Sequence, residues 1–412
     1  MPENLDKKTF NLYLTDRCNF NCTYCYQDRS NKDITTDLID KLASLVCEGD
    51  EVWLFGGEPT LVVDLIEYAV LKFADKKVGL YLFTNGSILT SNIENLVRTH
   101  NVKVQVSFDS ACEHLLYPTA GKTADDILKN ISTYQRCSSR LQTNTVITPQ
   151  TINGLHDTIV KIYEAGSRKA FWNISAEYAY TQADIESFEK EISKIADFIV
   201  STYEANDPIA TSLQSLMLIP AMYKNQILGC GAGVNFCAID VLGNIFACHR
   251  CLHEEHLRRK TILGNINALE NRIDLLSILD TPYTLIADTC GKCLGRPLCK
   301  QCYVVDKNKK RNNVPRNSLC SLTNIVTNYH LRITDSLINN ELYMKQLIDT
   351  IKWQTNNIIV PDIKSTHDYL LIYQFLSNVQ LLESFIKDHH AGTRQQQTFV
   401  LDNGNRLEFN YV

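Results

Sequence analysis

Six short apolar runs, most of them separated by amphipathic stretches, constrain the folding of this chain more than any other feature. They are Phe10–Thr15, Val52–Phe55, Val78–Thr84, Val102–Phe108, Leu141–Ile147 and Ala170–Ser175. Thr36–Cys47 carries Leu38, Leu42, Leu45 and Val46 at helical spacing, and Asp125–Cys137 and Gly154–Ala165 read as further helices. Strands alternating with helices argue for α/β architecture built from parallel βα units. Barrels of such units place their chemistry where the strand C-termini and their loops converge. Each strand end therefore nominates candidate residues.

Directly after the first run stands Cys18-Asn-Phe-Asn-Cys22-Thr-Tyr-Cys25, three thiols within eight residues. Such a loop wraps three thiolates around one corner of an iron–sulfur cube and offers no fourth. A [4Fe–4S] cluster normally takes four cysteines, so one iron is left for a ligand that is not protein. The competing reading is a zinc site with a distant fourth ligand. Phe55-Gly56-Gly57-Glu58-Pro59-Thr60 follows the second run, roughly one βα unit later. Its glycines allow the backbone to approach a ligand closely, and Glu58 offers a carboxylate to an ammonium group.

Together the two motifs resemble the radical S-adenosylmethionine (radical SAM) enzymes. The resemblance implies a partial six-stranded, TIM-like (β/α)6 barrel. It also implies SAM chelated to the open iron through its methionine amino and carboxylate groups, and a 5′-deoxyadenosyl radical released by reductive cleavage. By the same resemblance Gly56, Gly57 and Glu58 meet the methionine end of SAM, and Tyr24 lies beside the adenine. Ser107 and Asp109 form the family's Ser-x-Asp strand ending, with Ser107 directed at the ribose or carboxylate, and Asn144 is a further SAM contact. Asn85-Gly86 is the weaker candidate, because that pair is a common turn. Glu177 reads as a solvated loop carboxylate. Cys47, Cys112 and Cys137 read as structural residues, since free cysteines are often buried.

The second half holds nine cysteines between residues 230 and 320: Cys230, Cys237, Cys248, Cys251, Cys290, Cys293, Cys299, Cys302 and Cys320. Two tetrathiolate clusters need eight. Cys290-x2-Cys293-x5-Cys299-x2-Cys302 resembles a ferredoxin ligand run, and Asp240–Phe246 reads as a hairpin turning at Gly243. This arrangement is similar to the SPASM domain, which carries two auxiliary [4Fe–4S] clusters. The resemblance implies that Cys230, Cys237, Cys248 and Cys302 hold the first and that Cys290, Cys293, Cys299 and Cys320 hold the second. The chain departs from that pattern twice. Only Lys300 and Gln301 separate the last two cysteines of the block, where three residues are usual, and Cys251 is surplus. The division of roles among Cys251, Cys299 and Cys302 stays open. A zinc-ribbon reading of the block leaves Cys230, Cys237 and Cys248 without a role. His249 stands where sulfatase-maturing relatives carry an acidic base, and a histidine can take a proton near neutral pH.

At 412 residues the chain suggests two or three domains. The expected division is a radical SAM barrel over 1–205, a helical bridge over 206–229, a small cysteine-rich iron–sulfur domain over 230–325, and a helical C-terminal region over 326–412. Helices are expected at Asn324–Leu337, Leu342–Trp353 and Thr366–Asp388, and a hairpin around Asn403-Gly404. The basic run Lys307–Arg311 reads as a solvated loop. A net charge of −5 implies no global attraction to nucleic acid. No segment reaches the ~18 apolar residues of a membrane span. The start lacks the features of a signal peptide, so the chain reads as cytoplasmic and its cysteines as metal ligands rather than disulfides. The expected function is a radical SAM/SPASM maturase that oxidises a ribosomal precursor peptide, for instance by crosslinking. Three [4Fe–4S] clusters, SAM, and a reducing flavodoxin or ferredoxin go with it. A sulfatase-maturing enzyme is the alternative, against which His249 counts. A non-enzymatic electron carrier is the third reading, against which the Gly-Gly-Glu-Pro segment counts.

Overall fold

In the computed structural model β1 (Thr9–Thr15) lies between two parallel neighbours, β2 (Glu51–Gly56) and the strand Phe236–Ile239. The described residues are 7–27, 29–111, 121–216, 221–223, 226–228, 231–252, 258, 261–279, 292–299, 316–355, 362–378, 380–382, 384, 396–400 and 406–410. Beyond β2 the sheet continues in chain order through β3 (Gly79–Thr84), β4 (Lys103–Ser107), β5 (Leu141–Ile147) and β6 (Lys169–Ile174), every pairing parallel. The crossovers carry α1 (Thr36–Leu45), α2 (Val63–Ala74), α3 (Ser91–Thr99), α4 (Ala124–Cys137) and α5 (Leu155–Glu164). This is the six-fold βα alternation expected from sequence. Helix α1 stops at Leu45, so Cys47 lies beyond the helix and is exposed rather than packed in the core.

The strands separate two chemistries by the period of two. Val52, Leu54, Leu80, Leu82, Val104 and Val106 are at most 5% exposed, and the register aligns Val52 with Leu80 and Leu82 with Val104. These side chains face the helices: a Cβ added at Gly86 would meet both Val106 and Ile127 of α4. Burying each aliphatic side chain stabilises the fold by roughly 1.5–3 kcal/mol. The alternate residues, Trp53, Phe55, Phe83 and Gln105, are only half-buried. Trp53 and Phe83 stack with centroids 4.9 Å apart, and Phe55 and Phe83 at 5.4 Å. Further along the same face Gln142 donates to Gln105 at 2.8 Å and Asn173 to Asn144 at 2.8 Å. One face is a dry core and the other is partly open to solvent.

The strand Phe236–Ile239 turns back through Gly243 into Asn244–Phe246, which pairs antiparallel with Ile262–Asn265. Gly243 has φ +79°, and a Cβ there would approach Leu38 within 2.7 Å, so conformation and space both demand glycine. The carboxylate of Asp240 caps the turn by accepting from the backbone N–H groups of Leu242 and Asn244.

Two compact units result, Glu3–Glu177 with Gly231–Tyr283, and Tyr178–Cys230 with Thr284–Val412. The 230–325 segment expected as one cysteine-rich domain is divided between them, because its hairpin extends the sheet of the first. The second unit contains the helices Gln182–Glu204, Arg316–Ser336, Glu341–Gln354 and Thr366–Ser377. His330 is buried there between the carbonyl of Leu213 and the hydroxyl of Tyr369. Burial pushes its pKa down to about 4, which keeps it neutral. The strands Gln396–Val400 and Arg406–Asn410 pair antiparallel, as the hairpin expectation required. Among the described residues no helix is long and apolar enough to cross a membrane.

One buried ion pair ties the returning segment to the foot of β2. Asp50, 1% exposed, accepts from the backbone of Lys8 and Cys47 and from both terminal nitrogens of Arg272, at 2.7 and 3.1 Å. Removing one partner of such a pair leaves a buried charge uncompensated. Arg272→Ala should therefore destabilise the metal-free chain by about 3 kcal/mol in urea unfolding. A loss below ~1 kcal/mol, the range of an exposed pair, would contradict this role.

Candidate active site

The cysteine loop is stapled at its base. Arg17 grips Asp33 with two nitrogens, at 3.0 and 2.6 Å, and Thr15 donates its hydroxyl to the same carboxylate. The end of β2 then locks onto the loop. Gly57 N–H donates to the carbonyl of Thr15 and Glu58 N–H to that of Arg17, both at 2.8 Å. A Cβ on Gly56 would lie 2.3 Å from the Thr15 carbonyl oxygen, and one on Gly57 2.2 Å from that of Arg17. Both glycines are thus required by the approach of one protein loop to another.

Glu58 is fully buried, and its carboxylate accepts four hydrogen bonds. Thr60 N–H at 3.0 Å, Thr60 hydroxyl at 2.6 Å and Thr84 hydroxyl at 2.7 Å reach Oε1, and Asn85 N–H reaches Oε2 at 2.6 Å. Desolvation raises the Glu58 pKa, and these donors oppose the rise. The Asn85 side chain also donates to Asn19 in the cysteine loop, and Asn19 donates to Ser87. Asn85, the weaker candidate from sequence, therefore joins both motifs. Its Asn-Gly dipeptide concealed that role.

Tyr24, between the second and third cysteines, donates its hydroxyl to Asp109 Oδ2 at 2.5 Å, while Val146 N–H donates to Oδ1 at 2.8 Å. Desolvation raises the Asp109 pKa to about 6 against both bonds. Ser107 and Asn144 stand opposite one another in the β4–β5 register. Burial also pushes the Cys22 thiol up to about 12, helped by the charges of Asp109 and Cys25, and burial raises Cys18. Thiols and carboxylates crowded in this way favour a cationic guest. Among the described residues no three His, Cys, Asp or Glu side chains meet at a point suited to one metal ion. A three-thiol loop beside a buried acid fits a cluster that gives each thiolate its own iron.

The hairpin brings Cys248 and His249 to the open face. The His249 ring lies 5.9 Å from those of Tyr26, Phe55 and Phe236. Arg250 pairs with Glu177 at 2.5 Å and lies over the Tyr26 ring, and Ser175 donates to the same carboxylate. Glu177 is consequently a part-buried ion-pair partner, contrary to the solvated loop expected. Its pKa is lowered because the Arg250 charge and these bonds outweigh desolvation.

Cys237, expected to share a cluster with Cys248, lies within the strand Phe236–Ile239. It is aligned with Phe10, which is aligned with Val52, so it faces the helices. Cys248 stands two residues beyond the strand Asn244–Phe246, and the ring of the next residue, His249, meets Phe236 on the open face. Burial raises the Cys237 thiol to about 12, and its charged neighbours are Lys8 and Asp50. In the second unit, Gly295 sits between Cys293 and Cys299, and a Cβ on it would lie 3.0 Å from Thr323, one turn beyond Cys320 on its helix. The loop carrying Cys293 and Cys299 therefore packs on the helix carrying Cys320. Arg296, buried between them, donates to the carbonyls of Leu376 and Ser377. Cys137 is buried and structural as expected. Cys112, Cys230, Cys290, Cys302 and the basic run at 307–311 lie outside the described residues.

Residues 12–162 match the radical SAM superfamily. The mycofactocin maturase MftC of Mycobacterium tuberculosis is 26% identical over 70% of this chain and 75% of its own length. The radical SAM cyclopropyl synthase TigE of Paramaledivibacter caminithermalis is 23% identical over 64% of this chain and 60% of its own. In fold, the chain is similar to anSMEcpe with bound AdoMet, with TM-score 0.63 at 14% identity over 84% and 99% of the two chains. It is also similar to Streptococcus suis SuiB bound to the precursor peptide SuiA, with TM-score 0.55 at 18% identity over 76% of each.

Two outcomes follow from this geometry. Glu58→Gln places an amide against four donors and removes a negative charge, so SAM binding should weaken ten- to hundredfold with iron content intact, as loss of a ~1.5–3 kcal/mol charged hydrogen bond implies. Unchanged affinity in isothermal titration would remove Glu58 from the site. The second outcome concerns Asp109, which is held above its unfolded value of about 3.9. The folded chain then binds the proton more tightly, so the carboxyl's contribution to stability declines as pH rises from about 4 to 6 and stays lost above. Thermal unfolding of the metal-free chain at pH 4.5 and 7 should show that decline in wild type and a smaller one in Asp109→Asn. Equal slopes would contradict it.

Proposed function

The chain carries a radical SAM domain, and on that premise we propose that it is a peptide maturase that oxidises its substrate by two electrons. The observation that carries the reading is the interlock of the three-cysteine loop with the buried Glu58 carboxylate. The names of the relatives favour a peptide substrate: a mycofactocin maturase in sequence, and a fold neighbour solved with a precursor peptide. Cys18, Cys22 and Cys25 would hold a [4Fe–4S] cluster, which with SAM bound would supply hydrogen-abstracting radical chemistry.

The chain's own residues do the rest. Glu58 holds the ammonium end of SAM, and Thr60, Thr84 and Asn85 hold Glu58. Asp109 fixes Tyr24, which bounds the cofactor beside the cysteine loop. Ser107 and Asn144 offer hydrogen bonds to its polar groups. Arg250, braced by Glu177, and the half-buried rings of Phe55 and Phe236 bound the space left for the peptide. The two-electron oxidation removes a hydrogen atom first, then an electron and a proton. We assign the proton to His249; the cysteines of the second half, with Cys290, Cys293, Cys299 and Cys320 as one set, would hold auxiliary clusters that would supply the electron acceptor. A flavodoxin or ferredoxin supplies the electron that SAM cleavage consumes.

Reconstituted anaerobically, the chain should bind about twelve irons, as three four-iron clusters imply. Joint replacement of Cys18, Cys22 and Cys25 by Ala should remove about four of them and abolish 5′-deoxyadenosine formation. With a ribosomal precursor peptide, SAM and a reductant, tandem mass spectrometry should find a product two hydrogens lighter than the substrate. A mass-neutral product, or one heavier by a methyl group, would sink the oxidative reading.

A further inference from the structure

We propose that Cys251, together with Cys248, is a thiolate ligand of an auxiliary iron–sulfur cluster, and that Cys237 is a core residue with no metal role. The inference rests on the reading that the second half of the chain holds such clusters. Three observations support it. Cys248 and Cys251 are 6% and 0% exposed, and their sulfurs lie 3.6 Å apart. The 3-10 turn His249–Cys251 makes this meeting: its cap, Cys248, accepts from Cys251 N–H at 3.0 Å, which folds the second thiol back over the first. The Cys-x2-Cys spacing is that of neighbouring ligands in ferredoxin runs.

The strand register of Cys237 excludes the competitor. The open face is where the residue next to Cys248 sits, because the His249 ring lies 5.9 Å from the rings of Tyr26, Phe55 and Phe236. Cys237 lies across the sheet, on the helix side with Phe10. Reaching the same centre would require Phe236–Ile239 to slip by one residue. That slip would turn Cys237, Ala238 and Ile239, each 0% exposed, onto the wrong faces. The two sulfurs rest in contact, and both residues lie beyond the strand Asn244–Phe246, so ligation of separate irons would call on side-chain rotation rather than on strand movement.

The test uses the full chain with Cys18, Cys22 and Cys25 replaced by Ala, so that all bound iron belongs to the second half. After anaerobic reconstitution this parent should hold about eight irons. Adding Cys251→Ala should lower that to about four, and Cys251→Ser should restore iron while shifting the EPR signal of the reduced chain, because an oxygen donor replaces sulfur. Cys237→Ala and Cys237→Val should keep the iron and signal of the parent. Full iron with an unaltered signal in both Cys251 variants would overturn the assignment, as would iron loss confined to the Cys237 variants. A parent that binds zinc instead of iron, or no metal, would overturn the auxiliary-cluster reading and the assignment with it.

Discussion

The contact of two glycines with two carbonyls is the constraint from which the rest of the site follows. Gly56 and Gly57 bring the end of β2 so close to Thr15 and Arg17 that no side chain fits between them. Two backbone hydrogen bonds then fix the root of the cysteine loop and the position of Glu58 together. Neither motif can shift without the other. Asn19, Asn85 and Ser87 carry the same coupling to the end of β3. Three successive strand ends therefore behave as one rigid rim, which precise positioning of a reactive group requires.

That rim concentrates acidity in a poorly solvated place. Glu58 and Asp109 both have raised pKa values because burial disfavours their charge, and Cys18 and Cys22 are raised for the same reason. The fold holds these groups together at a free-energy cost that a cationic guest would relieve. By linkage, a guest bound only by the folded chain stabilises it, so loading the site and securing the barrel are the same event.

Much of the first unit was legible in the sequence because it depends on local signals. The period-two runs gave the strands, and the cysteine loop after β1 and Gly-Gly-Glu-Pro after β2 are the segments that the structure interlocks. What escaped was information held between segments. The face on which Cys237 points is a matter of register with β1, which no window around Cys237 contains. Glu177 looked solvated because its partner, Arg250, lies 73 residues away. The Asn-Gly dipeptide makes Asn85 the weaker candidate in sequence, although its backbone N–H is a donor to the central carboxylate. The sharing of residues 230–325 between two compact units was hidden for the same reason: strand partners are chosen by the whole sheet.

The position of Phe236–Ile239 beside β1 also governs the order of assembly on the ribosome. Lys8 and Val234, joined across this junction by a hydrogen bond, are 226 residues apart. At ~5–20 residues per second of synthesis, the outer edge of β1 waits roughly 10–50 s for its partner. Throughout that interval β1 presents an unpaired edge, the kind of surface that recruits strands from other chains, and it is the strand that leads into the three thiols. Interrupted translation before residue 236 would release a fragment with an open sheet and a complete cysteine loop.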